Sequence, residues 1–329
     1  MKKIVYIGMK NDYGDEKRSL CYDYVHIYQS LDKAYQCHFF DYMVYLRTHS
    51  QEDLQSALIK FVKEHQPDLV IFSLYLEQIS LSTVKAISQI AKTFGLFFDD
   101  TWRRDFVTKY GNEMHFFTTT DPYGETIYKK LGVKGKPLYF SYGFNPQYFF
   151  ADRKDLNKAI TFVGSWSASR EWVMKHLKKA GLPVEFYGHG WENGVLSNEA
   201  MVEVFQKSKI NLNLSNSVQD NVSYVLSSLR AFKSYFVGAK RGEQLKGRHV
   251  EINACGGFQI SFYADGLPAL YEVGKEIEIY QSVPDLIAKL EFYLENEEER
   301  ELIARKGWER SQNYQYDKVM EKLFQRMGL

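Results

Sequence analysis

This sequence has no charge excess of either sign. Its 42 Lys and Arg stand against 41 Asp and Glu, a formal net charge of +1, so no global field draws it to nucleic acid or an anionic membrane. Any anion recognition has to be local. Cysteine is scarce: Cys21, Cys37 and Cys255 form no CxxC and cannot all pair, and they read as small buried hydrophobes in a reducing cytosol. No apolar run approaches the roughly 18 residues of a membrane span. The N-terminal MKKIVYIGMKNDYGDEKRS turns polar too early for a signal peptide and reads as a first strand. A soluble, cytoplasmic protein without an integral membrane segment is expected. Asp-x-Asp is absent, which removes the ligands of metal-dependent nucleotide-sugar binding. GxxxxGK[ST], HExxH and GxSxG are absent as well, and the Cys and His are too scattered for zinc. Neither a metal nor a resident cofactor is expected, and no fixed repeat of 20–50 residues marks a solenoid.

What is present is alternation. The 329 residues suit two domains, each able to bury its own core. Short apolar strands alternate with amphipathic helical stretches, the pattern of parallel sheets covered on both faces. In the first half the sequence predicts strands at 4–8, 38–42, 69–74, 96–99, 116–119 and 137–140, with helices over 17–31, 51–64, 81–93 and 123–130. A linker containing GFNPQYFFADRKD then breaks both periodicities. The alternation restarts with strands at 160–164, 184–187, 210–214, 258–262 and 276–280 and helices over 169–180, 198–208, 283–294 and 297–311. Residues 217–242 are longer than an ordinary connection and read as an added helix or a flap. The expected organisation is a first domain over 1–145, a linker over 146–157, a second domain over 158–312 and a last helix over 313–329.

One segment concentrates chemistry. In QLKGRHVEINACGG at 244–257, Lys246 and Arg248 precede a short helix, where cations and free N–H groups favour a diphosphate. Glu251 follows within a turn and can accept from paired ribose hydroxyls, while Gly256 and Gly257 end the helix and lead into a strand. A second turn, FVGSWSASR at 162–170, places Gly164 and Ser165 between a strand and a helix holding Arg170, as either a structural turn or a phosphate-binding one. In FYGHGW at 186–191, Gly188 and His189 lie under a nucleobase or form a plain surface loop.

These segments, with INLNLS at 210–215 and GKEIEIYQSVPDLIAKLEFYLENEEERELIARKGWER at 274–310, resemble in their order the C-terminal domain of CgeB-like glycosyltransferases, related to glycosyltransferase families 1 and 4. The likeness covers the chain from about residue 138 and is weak before it. It implies a GT-B fold, an α/β architecture of two Rossmann-like doubly wound domains facing across a cleft, with the C-terminal helix crossing back to the first domain. It also implies a nucleoside-diphosphate sugar as donor and a glycan, lipid-linked, protein or small-molecule acceptor. Glu243 and Glu251 match the Glu-x7-Glu spacing of retaining members, in which the second Glu holds the ribose and the first contacts the donor sugar. The residues QLKGR between them lack that motif's usual Pro/Phe/Gly signature.

In the first domain, FGLFFDDTWRRDF places Asp99 and Asp100 at the C-terminal end of a strand, the edge where open α/β sheets bind ligands. Either is a candidate base or orienting group for an acceptor hydroxyl, or else a helix cap. Trp102 and Tyr13 offer stacking faces or pack in the core. Two other readings stay open beside an enzyme: a non-catalytic sugar-nucleotide or glycan binder of the same fold, and a nicotinamide oxidoreductase, against which the missing GxGxxG counts.

Overall fold

The structure is a computed structural model that describes residues 2–218, 220–238 and 240–329. The chain forms two compact units, one of residues 1–141 with 316–329 and one of residues 142–315.

The first unit is built on six parallel strands in the order β2-β1-β3-β4-β5-β6: β1 (Lys3–Gly8), β2 (Gln36–Asp41), β3 (Leu69–Ser73), β4 (Lys92–Leu96), β5 (Phe116–Thr119) and β6 (Lys136–Tyr139). Its central strands read as unbroken apolar runs because helices cover both faces, and all five residues of β3 are buried. Helices α1 (Gln51–His65), α2 (Leu81–Ser88), α3 (Arg104–Gly111) and α4 (Gly124–Lys130) connect the strands. Helix α1 starts at a capping box in which Ser50 and Asp53 satisfy each other's backbone N–H groups.

The predicted strand at 96–99 lies earlier, at 92–96. Helix α2 stops at Ser88, and β3 supplies five residues for β4 to pair with, from Leu69 opposite Lys92 to Ser73 opposite Leu96. The apolar residues that follow are core, not strand: Phe97 is buried and donates its N–H to Thr118 Oγ1 at 2.7 Å. The helix predicted from residue 17 begins only at Tyr22 and passes through a π turn at Tyr24–Tyr28, and α3 went unpredicted.

The second unit carries five parallel strands in the order β11-β10-β9-β7-β8: β7 (Lys158–Val163), β8 (Val184–Tyr187), β9 (Ser208–Asn213), β10 (Gln259–Phe262) and β11 (Glu278–Tyr280). Its helices include α5 (Ala168–Lys179), α6 (Asn198–Lys207), α7 (Val222–Val225), α8 (Leu229–Val237), α9 (Arg248–Ala254), α10 (Val283–Glu295) and α11 (Glu297–Ser311). The last helix, α12 (Tyr316–Arg326), belongs to the first unit, where Tyr316, Met320 and Leu323 pack in one core with Ile4, Tyr6 and Ile71.

The strand order reverses once in each sheet. In the first unit β1 lies between β2 and β3, and in the second β7 lies between β8 and β9. At such a switch the chain leaves in opposite directions from neighbouring strand ends and opens a crevice at their carboxyl edge. The crevices therefore lie past Gly8 and Ser73 in one unit and past Val163 and Asn213 in the other.

Candidate functional site

The second unit gathers its charged side chains at its own switch. Arg170 sits in the first turn of α5, whose N-cap Ser167 accepts from the Arg170 N–H at 3.3 Å. Its guanidinium reaches across the crevice, donating to the Leu214 carbonyl at 2.7 Å from Nη2, to Ser215 O at 3.1 Å from Nε and to Ser165 O at 2.8 Å from Nη1. It thus joins the turn after β7 to the turn after β9. Burial, and then the neighbouring Arg248 cation, lower its pKa to about 10.

Arg248 comes to the same edge from α9. Its Nε donates to Val163 O at 3.1 Å and its Nη1 to Glu251 Oε2 at 2.6 Å. The Glu251 carboxyl group is only 1% exposed against 29% for the Arg248 side chain, so the pair turns its cation outward. Glu243 completes the group. Its carboxylate accepts from Ser217 Oγ at 2.6 Å and from Ser215 Oγ, and its charge acts on both Arg170 and Tyr280. The sequence reading missed Ser215, Ser217 and Tyr280. The available signal was their place, since two of them follow β9 directly and the third ends β11.

The segment that carries Glu243 is the long connection after β9. It forms α7 and α8 and closes on itself, with Val218 N donating to Lys240 O at 2.8 Å. Tyr224 anchors it, buried edge-on against Trp172 of α5 at 5.8 Å. The connection therefore returns Glu243 to the strand end it left. Lys246 is half-buried on the same loop, its N–H given to His249 Nδ1 at 3.0 Å. His249 is fully buried, and burial lowers its pKa to about 4.

Several residues expected to touch a ligand hold the fold together instead. Gly256 and Gly257 are buried at the C-terminal end of α9, before β10 begins, and so lie at the opposite edge of the sheet from Arg170. A side chain on Gly257 would come within 2.8 Å of Asn211 Nδ2, so this glycine serves helix-to-strand packing. Gly188 has φ +124°, and a Cβ there would overlap the Gly164 carbonyl; the two glycines let two strand ends meet backbone to backbone. The Gly164 oxygen also accepts from Trp191 Nε1 at 2.8 Å. Ser165 and His189 are exposed beside this contact, with His189 O accepting from Trp166 N at 2.7 Å.

In the first unit the Asp pair divides. Asp100 is 1% exposed, and its two oxygens accept from Thr119 Oγ1 at 2.6 Å, Tyr128 OH at 3.2 Å, Thr120 N at 2.9 Å and Thr120 Oγ1 at 2.8 Å. Its acceptor capacity is spent on the protein, which corrects the expectation that it faces an acceptor. Asp99 is half-buried and lines a cavity of about 90 Å³ with Ser73, Asp100 and Arg103. Neither caps a helix, because the N-cap of α3 is Arg103. Tyr13 is not core but 52% exposed, at φ +56°, edge-on to Tyr75 at 5.1 Å. These two rings follow β1 and β3, the strands of the switch. Among the described residues no three His, Cys, Asp or Glu side chains are grouped as metal ligands, and no helix is long and apolar enough to cross a membrane.

Residues 170–325 match the family model described as "Glycosyl transferase-like". Comparison with curated protein sequences finds no match. Among solved structures, the chain is similar to Anabaena Alr3699/HepE in complex with UDP-glucose, at TM-score 0.66 and 12% identity over 100% of both chains. It is similar to a sucrose-phosphate synthase from Thermosynechococcus elongatus at TM-score 0.62 and 12% identity, over 100% of this chain and 99% of the other. The pneumococcal O-GlcNAc transferase GtfA, in complex with UDP and GlcNAc, aligns at TM-score 0.54 and 12% identity over 85% of this chain and 60% of its own. The fold is GT-B: α/β, with two parallel sheets and alternating helices.

Proposed function

We propose that this protein transfers a sugar from a nucleoside-diphosphate sugar to an acceptor hydroxyl, without a metal, as a cytoplasmic CgeB-like glycosyltransferase. The observation that carries the reading is the convergence of Arg170, Arg248 and Glu243 on the β7–β9 switch, inside the segment that matches the family model. As the glycosidic bond to the donor breaks, negative charge grows on the departing diphosphate. Arg248, with Lys246 beside it on the loop, is assigned to meet that charge, and Arg170 adds its field while holding the turn that carries Ser165. Glu251, buried beneath Arg248, is assigned to orient that cation, and Glu243 to contact the donor sugar. The exposed His189, on the turn that Gly188 shapes, is assigned to the base. Retention of configuration is proposed by analogy with the fold. Tyr13, edge-on to the half-buried Tyr75, offers an exposed aromatic face for an acceptor sugar, and Asp99 is assigned to its hydroxyl.

A second reading has one observation in its favour. Asp100 and Glu243 both accept hydrogen bonds from the protein itself, as expected of a sugar-nucleotide binder that carries out no transfer.

The test is thermal stabilisation by UDP, GDP, ADP, CMP and their sugars, followed by transfer assays. Each shift is measured against the variant's own ligand-free midpoint, because Arg248→Ala strands the buried Glu251 carboxylate and lowers that midpoint by itself. One nucleotide should raise the wild-type midpoint and leave Arg248→Ala unmoved. No shift with any nucleotide would remove the donor-site assignment. Asp99→Asn should abolish transfer and preserve the nucleotide shift, whereas binding without any wild-type transfer would favour the second reading.

A further inference from the structure

Helix α8 turns its apolar stripe outward. Leu229, Phe232 and Phe236 recur at spacings of three and four and are 89%, 49% and 62% exposed. Leu226 and Val237 flank them, also exposed. The inward positions hold small or partly polar residues instead, with Ala231 buried and Ser234 and Tyr235 half-buried. A helix on a water-facing surface shows the reverse arrangement. Cations are interleaved with the stripe. Arg230, Lys233, Lys240 and Arg241 are all exposed, and Asp220 is the one acidic residue in the sequence from 218 to 242.

We propose that the α7–α8 excursion docks on an anionic lipid surface, with the leucines and phenylalanines entering the acyl boundary and the four cations lying among the headgroups. Apolar side chains on one stripe with Lys and Arg at its margins are what an interfacial helix needs, and such a helix lies in the membrane plane without crossing it. Charge argues against a second copy of the chain as the occupant. A two-fold interface brings identical patches together, which would set four cations against four. An acidic protein would neutralise those charges, but this convex stripe offers it no groove. The net charge of +1 does not oppose the proposal, since surface attraction falls off within a Debye length and is decided by the local patch.

The experiment is co-sedimentation of the full chain with vesicles of phosphatidylglycerol and phosphatidylcholine, or of phosphatidylcholine alone, without donor or acceptor, so its outcome is independent of the sugar-transfer reading. The wild type should pellet with the anionic vesicles and stay in solution with the neutral ones. Replacing Leu229, Phe232 and Phe236 together with Ser should abolish pelleting, and these exposed positions leave the fold and nucleotide-induced stabilisation unchanged. Lys233→Gln with Lys240→Gln should weaken binding on the order of thirtyfold, from about 1 kcal/mol per cation near an anionic surface. Equal pelleting with both vesicle types, or full pelleting of the triple variant, would overturn the proposal. So would a wild type that stays off vesicles and dimerises in sedimentation velocity while the triple variant remains monomeric, which would assign the stripe to a second copy.

Discussion

Replacing Asp100 with Ala tests whether this carboxylate is structural or chemical. Four hydrogen bonds at 2.6–3.2 Å end on it, and together they tie the chain after β4 to the chain after β5. Hydrogen bonds to a charged group contribute about 1.5–3 kcal/mol each, and they do not add when partners can turn elsewhere. Two hydroxyls keep weaker acceptors, Thr120 Oγ1 with Phe98 O at 3.3 Å and Thr119 Oγ1 with Asp121 O at 3.5 Å. The loss therefore falls mainly on the Thr120 N–H and the buried Tyr128 hydroxyl, for a total of about 3–5 kcal/mol. In a unit of this size that lowers the midpoint by roughly 10 °C. Calorimetry of the full chain would measure the drop, and sugar transfer assayed well below the midpoint should survive. An Asp100→Ala protein with the wild-type melting profile and no transfer would refute the structural assignment.

Two further outcomes follow from buried groups. His249 is harder to protonate folded than unfolded, so its contribution to stability is complete above pH 6.5 and is lost as pH falls towards about 4. The loss amounts to about 3 kcal/mol; urea unfolding at pH 7 and pH 4.5 should show most of it in wild type and little in His249→Gln, and an equal loss in both would remove His249 as the cause. Gly188→Ala forces a Cβ into the Gly164 carbonyl at a φ that only glycine adopts readily, and should lower stability by about 2–4 kcal/mol in thermal unfolding. A wild-type midpoint would show that the two strand ends can part.

Legibility in the sequence tracked how local each determinant is. Helices α1 and α10 have clear starts and periodic faces, and the alternation of strands with helices led to the α/β architecture that the GT-B neighbours share. Where the reading failed, tertiary contact had decided. Phe97 and Phe98 look like strand but follow one, because β4 takes its register from β3. Asp99 and Asp100 are adjacent and chemically identical in sequence, and only the Thr119, Thr120 and Tyr128 hydroxyls distinguish them. At the candidate site Arg170, Arg248 and Glu243 were each named from their segments. Their meeting depends on strand order, which no local pattern encodes, and so Ser215 and Tyr280 went unnoticed.

The hydrogen bond between Val218 and Lys240 has a consequence for how this chain can change over time. An excursion that begins and ends at one backbone contact can lengthen, shorten or exchange its contents at little cost in loop closure, while Ser217 and Glu243 stay in register. Selection can therefore revise what the excursion meets outside without disturbing what the crevice holds within.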